Sequence, residues 1–305
     1  MAAFYRARRL AQTSLFAPYP DKWTNFARES RGSMAGAFEW LGDRIGGQGL
    51  VSVVRLYGGI GMGGPFGRSL DDESLAPIFE RAFAPKRLKA VALAINSPGG
   101  SPAQSALIGA RIRRLADEKK VPVFAFCEDV AASGGYWLAC AADEIFADAN
   151  SLIGSIGVVS AGFGLHEAIG RLGVERRVHT AGARKAMLDP FRPEDPDDIV
   201  RLKRIQQGVH DNFIAHVRAR RGDRLMGEDA ALFSGDVWLA AEAQGLGLID
   251  GIGHLVPTMK ARFGDRVRFT VARPRRSLLQ RLGAPGVSEV IGALEERAAR
   301  ARLGL

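Results

Sequence analysis

Ser133 stands in the run Ala131-Ala132-Ser133-Gly134-Gly135, after the apolar segment Val121–Phe126 and before Tyr136-Trp137-Leu138. This order predicts a short strand, a turn ending at Ser133 and a helix beginning at the two glycines. At such a junction a hydroxyl can project while the N–H groups of the first helical turn stay unpaired. That suits a nucleophile, although serine beside glycine also makes ordinary turns. A serine hydroxyl attacks a carbonyl only when a neighbouring base takes its proton. Of the five histidines, His166, His179, His210, His216 and His254, His210 and His216 fall on a long helical pattern and read as surface residues. His179 ends a predicted strand and is the one histidine placed to serve. Lys185 is the other candidate, with Ala183, Ala186, Met187 and Leu188 around it. Apolar surroundings bring a lysine amine down from its ordinary ~10.4 towards neutrality, but Arg184 opposes burial unless it points away. The run AASGG is not the G-x-S-x-G of the α/β-hydrolases.

Acyl transfer also needs N–H donors for the developing oxyanion. The Gly134 N–H is one. The turn Asn96-Ser97-Pro98-Gly99-Gly100-Ser101 offers a second at Gly100, with Gly99 permitting the bend. In a parallel sheet the turns after neighbouring strands lie side by side at the carboxyl ends, where α/β proteins place their chemistry.

The elements that must hold these turns follow from periodicity. Strands are expected at Val51–Tyr57, Lys89–Ile95, Val121–Phe126, Asp143–Ala147, Val174–Thr180 and Arg266–Val271. Helices are expected from Asp71 or Asp72 through Phe83, from Pro102 to about Lys119, near His166–Leu172, and from about Pro196 to Arg221. Leu225–Phe233, Leu239–Leu246 and Ile252–Arg262 read as further helices. Alternating strands and helices imply right-handed crossovers and a mostly parallel sheet, an α/β fold. Gly59, Gly61 and Gly64 satisfy G-x-G-x-x-G directly after the first strand. Context excludes a dinucleotide site, because Pro65 and Gly67 stand where a helix should open and Asn96, not an acid, ends the next strand. A mobile glycine-rich loop covering a groove fits better.

A chain of 305 residues with 47% hydrophobic and 25% charged residues can bury a sizeable core. Its net charge of +9 is spread along the chain without alternating aromatics, so a basic surface is expected and nucleic acid is not. Cys127 and Cys140, the two cysteines, supply neither a disulfide framework nor a zinc set. No stretch approaches the ~18 to 20 apolar residues of a membrane span. The expected organisation is an N-terminal appendage over 1–48, a catalytic domain over 49–272 and a basic tail helix over 273–305. Met34–Ile45 reads as an amphipathic helix that could touch a membrane or a partner. The expected location is cytoplasmic or peripheral to a membrane.

Four segments together resemble the signal-peptide-peptidase A group of serine peptidases, family S49, including its SohB-like members. INSPGGS (Ile95–Ser101) resembles the family's oxyanion segment, and AASGGYWLA (Ala131–Ala139) its nucleophile segment. GSIGV (Gly154–Val158) is similar to the segment whose serine orients the catalytic lysine, here Ser155. TAGARKAMLDPFR (Thr180–Arg192) resembles the segment bearing the general base, here Lys185, 52 positions after Ser133. The resemblance implies a ClpP/crotonase-like spiral of β-β-α units. It further implies a Ser–Lys dyad acting on extended apolar peptides or unfolded protein, a homo-oligomeric ring, and no metal or organic cofactor. Many such proteins are anchored by an N-terminal span, which is not expected in the first 50 residues here. Two other readings use the same glycine turns: a crotonase-type acyl-CoA enzyme, and a catalytically silent ring that binds peptides.

Overall fold

The computed structural model describes residues 49–62, 69–182 and 184–273, with the single positions Arg297 and Ala301. The amphipathic helix expected at Met34–Ile45, the tail helix expected from Ser288, and Gly64, Pro65, Gly67 and Ala183 lie outside the described residues.

β1 (Leu50–Tyr57), β2 (Leu88–Ser97) and β3 (Val123–Ala132) run parallel and form the middle of one sheet, with β8 (Arg268–Val271) parallel on the far side of β1. Between them come α1 (Asp72–Ala82) and α2 (Pro102–Lys119). β2 reads as nearly unbroken apolar sequence because both faces of the sheet are covered. Val54, Leu93, Ile95 and Ala125 pack under α1 and α2. Val51, Val53, Ala92 and Phe124 face Met259 of α8 (Leu255–Phe263) on the other side. The α2 boundaries match the expectation: Ser101 accepts a bond from the Gln104 N–H, Pro102 opens the helix, and Lys120 closes it at φ 54°.

β3 departs from the expected Val121–Phe126 strand and following turn. Ile95 pairs with Cys127, but Ser97 pairs with Ala131, so β3 carries two residues more than β2 between those pairs. The two extra residues, Glu128 and Asp129, bulge outward and accept hydrogen bonds from Tyr57 Oη at 2.8 Å and Asn96 Nδ2 at 2.6 Å. That polar pair makes the middle of the strand look like a turn in sequence. The bulge divides β3: its first half pairs with β4 (Glu144–Ala147), its second with β5 (Leu152–Gly154). β5 is joined by antiparallel β6 (Val237–Leu239), and β4 by β7 (Gly251–Ile252). The short α3 (Gly134–Ala139) follows β3 directly.

After Gly157 the chain leaves the sheet. α4 (His166–Arg171) has no buried residue. The strand expected at Val174–Thr180 does not form: these residues are irregular and mostly exposed, because β-branched content makes no strand where no partner strand is available. The long helix does form as expected, as α5 (Pro196–Arg221), with Asp195 as its cap and Arg218, Arg220 and Arg221 in its last turn. α6 (Asp229–Leu232) and α7 (Ala240–Gly245) are shorter than the helices expected there. Among the described residues no helix is long and apolar enough to cross a membrane.

Candidate active site

Ser133 sits between β3 and α3 with φ 52° and ψ −122°. A non-glycine residue in this region costs about 1–3 kcal/mol and persists only where its surroundings over-determine it. Here they do. The Ser133 N–H donates to the Gly154 carbonyl at 2.8 Å, and its own carbonyl accepts from the Trp137 N–H at 3.0 Å. Among the described residues nothing hydrogen-bonds the hydroxyl, and the side chain is half-buried.

The asparagine-to-glycine turn after β2 closes over Ser133. A Cβ added to Gly99, at φ 102°, would lie 2.7 Å from the Ser133 Cβ and 2.8 Å from the Gly134 nitrogen. Gly100 has φ 144°, and a Cβ there would stand 2.0 Å from the Ile60 carbonyl oxygen. A Cβ on Gly134 would meet Ser105 Oγ at 2.4 Å and the Gly100 nitrogen at 3.4 Å. The two turns therefore pack backbone against backbone. Neither the Gly100 N–H nor the Gly134 N–H donates to another group among the described residues. Both are available to an oxyanion beside the Ser133 hydroxyl.

Sequence reasoning missed what holds this turn. Among the described residues of the loop expected to be mobile, Ile60 is pinned: its N–H donates to the Gly99 carbonyl at 2.8 Å, and the Ser101 N–H donates to its carbonyl at 2.7 Å. Buried Ser97 donates to the Gly58 carbonyl at 2.7 Å and accepts from the Gly99 N–H at 3.2 Å. The signal was Ser97 itself, a hydroxyl ending an otherwise apolar strand.

Ser155 follows Gly154 and is left-handed at φ 50°, its N–H donating to the Asp236 carbonyl at 2.7 Å. The Trp238 ring occupies the space a Cβ on Gly154 would need. β5 thus carries Ser155 to the side of Ser133 while β6 fixes it from outside.

Lys185 lies elsewhere. It is exposed, on the excursion that leaves the sheet after Gly157, in a turn where its N–H donates to the Gly182 carbonyl at 3.2 Å. Among the described residues no hydrogen bond or ion pair joins its amine to Ser133 or Ser155. A clasp closes the base of this loop: Arg176 Nε lies 3.1 and 3.0 Å from the two Asp189 carboxylate oxygens, and its guanidinium stacks 4.7 Å from the Phe191 centroid. The Arg176 bond and the Phe191 N–H hold the Asp189 carboxyl below the usual carboxylate range. His179 is exposed on the same excursion. The structure therefore brings Ser133, Gly134, Gly99, Gly100 and Ser155 together, and leaves both candidate bases on the arm.

His210 and His216 are not the surface residues expected. They lie on the inward side of α5, with Nε2 atoms 3.0 Å from the Ile156 carbonyl and 3.1 Å from the Trp137 carbonyl. The His216 ring stacks on the Trp137 indole, 4.3 Å between centroids. Burial lowers its affinity for a second proton and favours the neutral ring.

Fold and site define an α/β protein in which a strained serine faces a two-glycine donor turn. The family model described as "Peptidase family S49" matches residues 115–261. The chain is 50% identical over 255 residues to a protein named Na(+)/H(+) antiporter NhaA from Brucella melitensis, covering 83% of this chain and 34% of that one. It is 32% identical over 274 residues to Serine protease SPPA, chloroplastic, from Arabidopsis thaliana, covering 85% of this chain and 39% of that one. A solved structure of the membrane-bound stomatin-specific protease 1510-N is similar at 16% identity and a TM-score of 0.46, covering 75% of this chain and 100% of that one. This chain belongs to peptidase family S49. It spans between a third and two fifths of the length of these curated relatives.

Proposed function

We propose that this chain is a serine peptidase that hydrolyses extended apolar peptides through Ser133, with Lys185 as general base. The observation that carries the reading is the strained Ser133 set against the unpaired Gly100 and Gly134 N–H groups. The hydroxyl attacks the scissile carbonyl while Lys185 takes its proton. The two N–H groups stabilise the tetrahedral oxygen. The protonated lysine then donates to the leaving amine, and water cleaves the acyl-enzyme with the same amine as base. Ser155 orients that amine. The divided β3, whose halves pair with different strands, supports the finer fold assignment, a ClpP/crotonase-like spiral.

The placement of Lys185 bears on how the site is completed. Its arm exposes Val159, Phe163, Leu172 and Val174 to solvent, with Phe163 85% exposed. Apolar residues gathered on one excursion mark a surface that another chain covers. A second copy packed there would exclude water from the amine and bring Lys185 of one copy to Ser133 of the next. Head-to-tail contact of this kind generates a ring.

The test is labelling with an active-serine acylating probe, with Ser133→Ala and Lys185→Ala as controls. Wild-type protein should be labelled and both variants inert; an unlabelled wild type, or a fully active Lys185→Ala, would sink the dyad. Mixing the two inactive variants then reports on assembly. Sites shared between copies should recover roughly a quarter of the activity in a randomly mixed head-to-tail ring, whereas sites built within one chain recover none.

A further inference from the structure

One helix reaches three segments of the candidate site: the Lys185 loop, the Ser155 turn and α3. In the first turns of α5, Asp198 Oδ2 accepts from the Leu188 N–H at 3.3 Å, and Arg201 Nη1 holds Asp198 Oδ1 at 3.0 Å. This ties the helix to the loop that carries Lys185. About 18 Å further along the axis, at ~1.5 Å per residue, His210 donates to the carbonyl of Ile156, the residue after Ser155. His216 donates to the Trp137 carbonyl, and Arg220 donates from Nε to the Cys140 carbonyl at 2.8 Å and from Nη2 to the Ala142 carbonyl at 3.0 Å.

These acceptors are not arbitrary. The last carbonyls of a helix have no partner within it, and α3 spans only Gly134–Ala139. A helix that short has little stability of its own. Its first residue supplies an oxyanion donor and its cap is Ser133, so donors at its far end fix the direction of both. Because a carbonyl only accepts, each histidine carries its hydrogen on Nε2. A leucine or phenylalanine at either position would leave a part-buried carbonyl without its donor.

We propose that α5 is the positioning element of the active site, and that His210 and His216 are positioning residues that set the Ser155 turn and the nucleophile helix. The proposal rests on the reading of Ser133 as nucleophile.

The experiment compares His210→Ala, His210→Gln, His216→Ala and His216→Gln in the full chain. It measures peptide turnover, the rate of Ser133 acylation by the probe, thermal unfolding, and hydrogen exchange at residues 134–140 and 154–157. Each alanine variant should lose about 10- to 100-fold in kcat, the scale of a small misplacement of reacting groups. KM should stay within about twofold, since binding is not what these groups set. Glutamine, whose Nε2 can donate to the same carbonyl, should restore most of the loss. Exchange should rise at 154–157 in His210→Ala and at 134–140 in His216→Ala. Alanine variants with wild-type kcat, or a loss that glutamine does not rescue, overturn the proposal. Wild-type protein that is neither labelled nor active overturns the peptidase reading instead; the two exchange patterns then decide alone whether the histidines hold the turns.

Discussion

The Ser133 N–H and the Gly154 carbonyl meet at 2.8 Å, which fixes the residue at φ 52° from the side that also carries Ser155. The strained turn and the Ser155 turn are thus one hydrogen-bonded unit at the branch of β3. The energy stored in the turn predicts that Ser133→Gly abolishes activity yet stabilises the protein. Glycine relieves the left-handed strain, and the gain after its greater unfolded-state entropy is about 1 kcal/mol. Ser133→Ala keeps the strain and should show no gain. Urea unfolding of the two variants beside wild type checks this, and a Ser133→Gly protein less stable than Ser133→Ala would show that the turn is unstrained.

A second prediction contrasts two glycines. In Gly100→Ala the new methyl would stand 2.0 Å from the Ile60 carbonyl oxygen, at a φ of 144° that alanine avoids. Backbone must move to admit it, taking the donor N–H out of line. Activity should fall to the level of Ser133→Ala, with stability lower by about 3 kcal/mol. At Gly162 nothing lies within 4 Å of an added Cβ, so Gly162→Ala should leave stability within about 0.5 kcal/mol. Equal melting curves for the two alanine variants would contradict the packing of the turns.

The contrast also shows what the sequence made legible. The two glycine turns could be placed because strand, turn and helix follow each other within a few residues, and neighbouring parallel strands bring their ends together. α5 could be delimited to the residue because Pro196 opens it and Gly222 ends its apolar stripe. Contacts between distant residues were not legible. Glu128 and Asp129 look like a turn until β2 shows which register they interrupt. Val174–Thr180 has the composition of a strand and no partner. His210 and His216 look solvated on the helix alone; their carbonyl partners lie 54 and 79 positions away. Lys185 could be picked out by its neighbours in sequence, but its exposure on the arm could not.

Behind α3, Arg221 is 2% exposed and pairs with Asp250 through two bonds, 2.8 Å from Nη1 and 3.1 Å from Nη2. It also donates to the Gly247 carbonyl. Burial alone would raise the Asp250 carboxyl, but the Arg221 bonds and charge, with the Ile145 N–H and Arg224, outweigh it and hold the carboxyl low. Removing the carboxylate in Asp250→Ala leaves a buried guanidinium uncompensated, a loss of about 3–5 kcal/mol. The sign of the pH dependence follows from the lowered carboxyl. This contribution is fully present above the unfolded carboxylate value of ~3.9 and is lost as pH falls through the folded value. Unfolding midpoints measured from pH 6 to pH 2.5 should therefore drop steeply below about pH 4 in wild type and less steeply in Asp250→Ala. Parallel profiles would remove this pair from the acid sensitivity.

The last prediction concerns the arm. Phe163, Leu172 and Val174 are exposed, so Phe163→Asp combined with Leu172→Asp should leave the unfolding of the protomer unchanged to within about 0.5 kcal/mol, as for surface substitutions generally. If a second copy covers these residues, two carboxylates in the contact would each lose water without a partner and the assembly would come apart. Sedimentation should then show the double variant at protomer mass at concentrations where wild type is oligomeric. Acylation of Ser133 should fall with it, because Lys185 would stay in solvent. An oligomeric, active double variant would show that the arm contributes nothing to assembly. A monomeric variant that keeps full activity would show instead that Lys185 reaches Ser133 within its own chain, by closure of the arm over the β5–β6 edge.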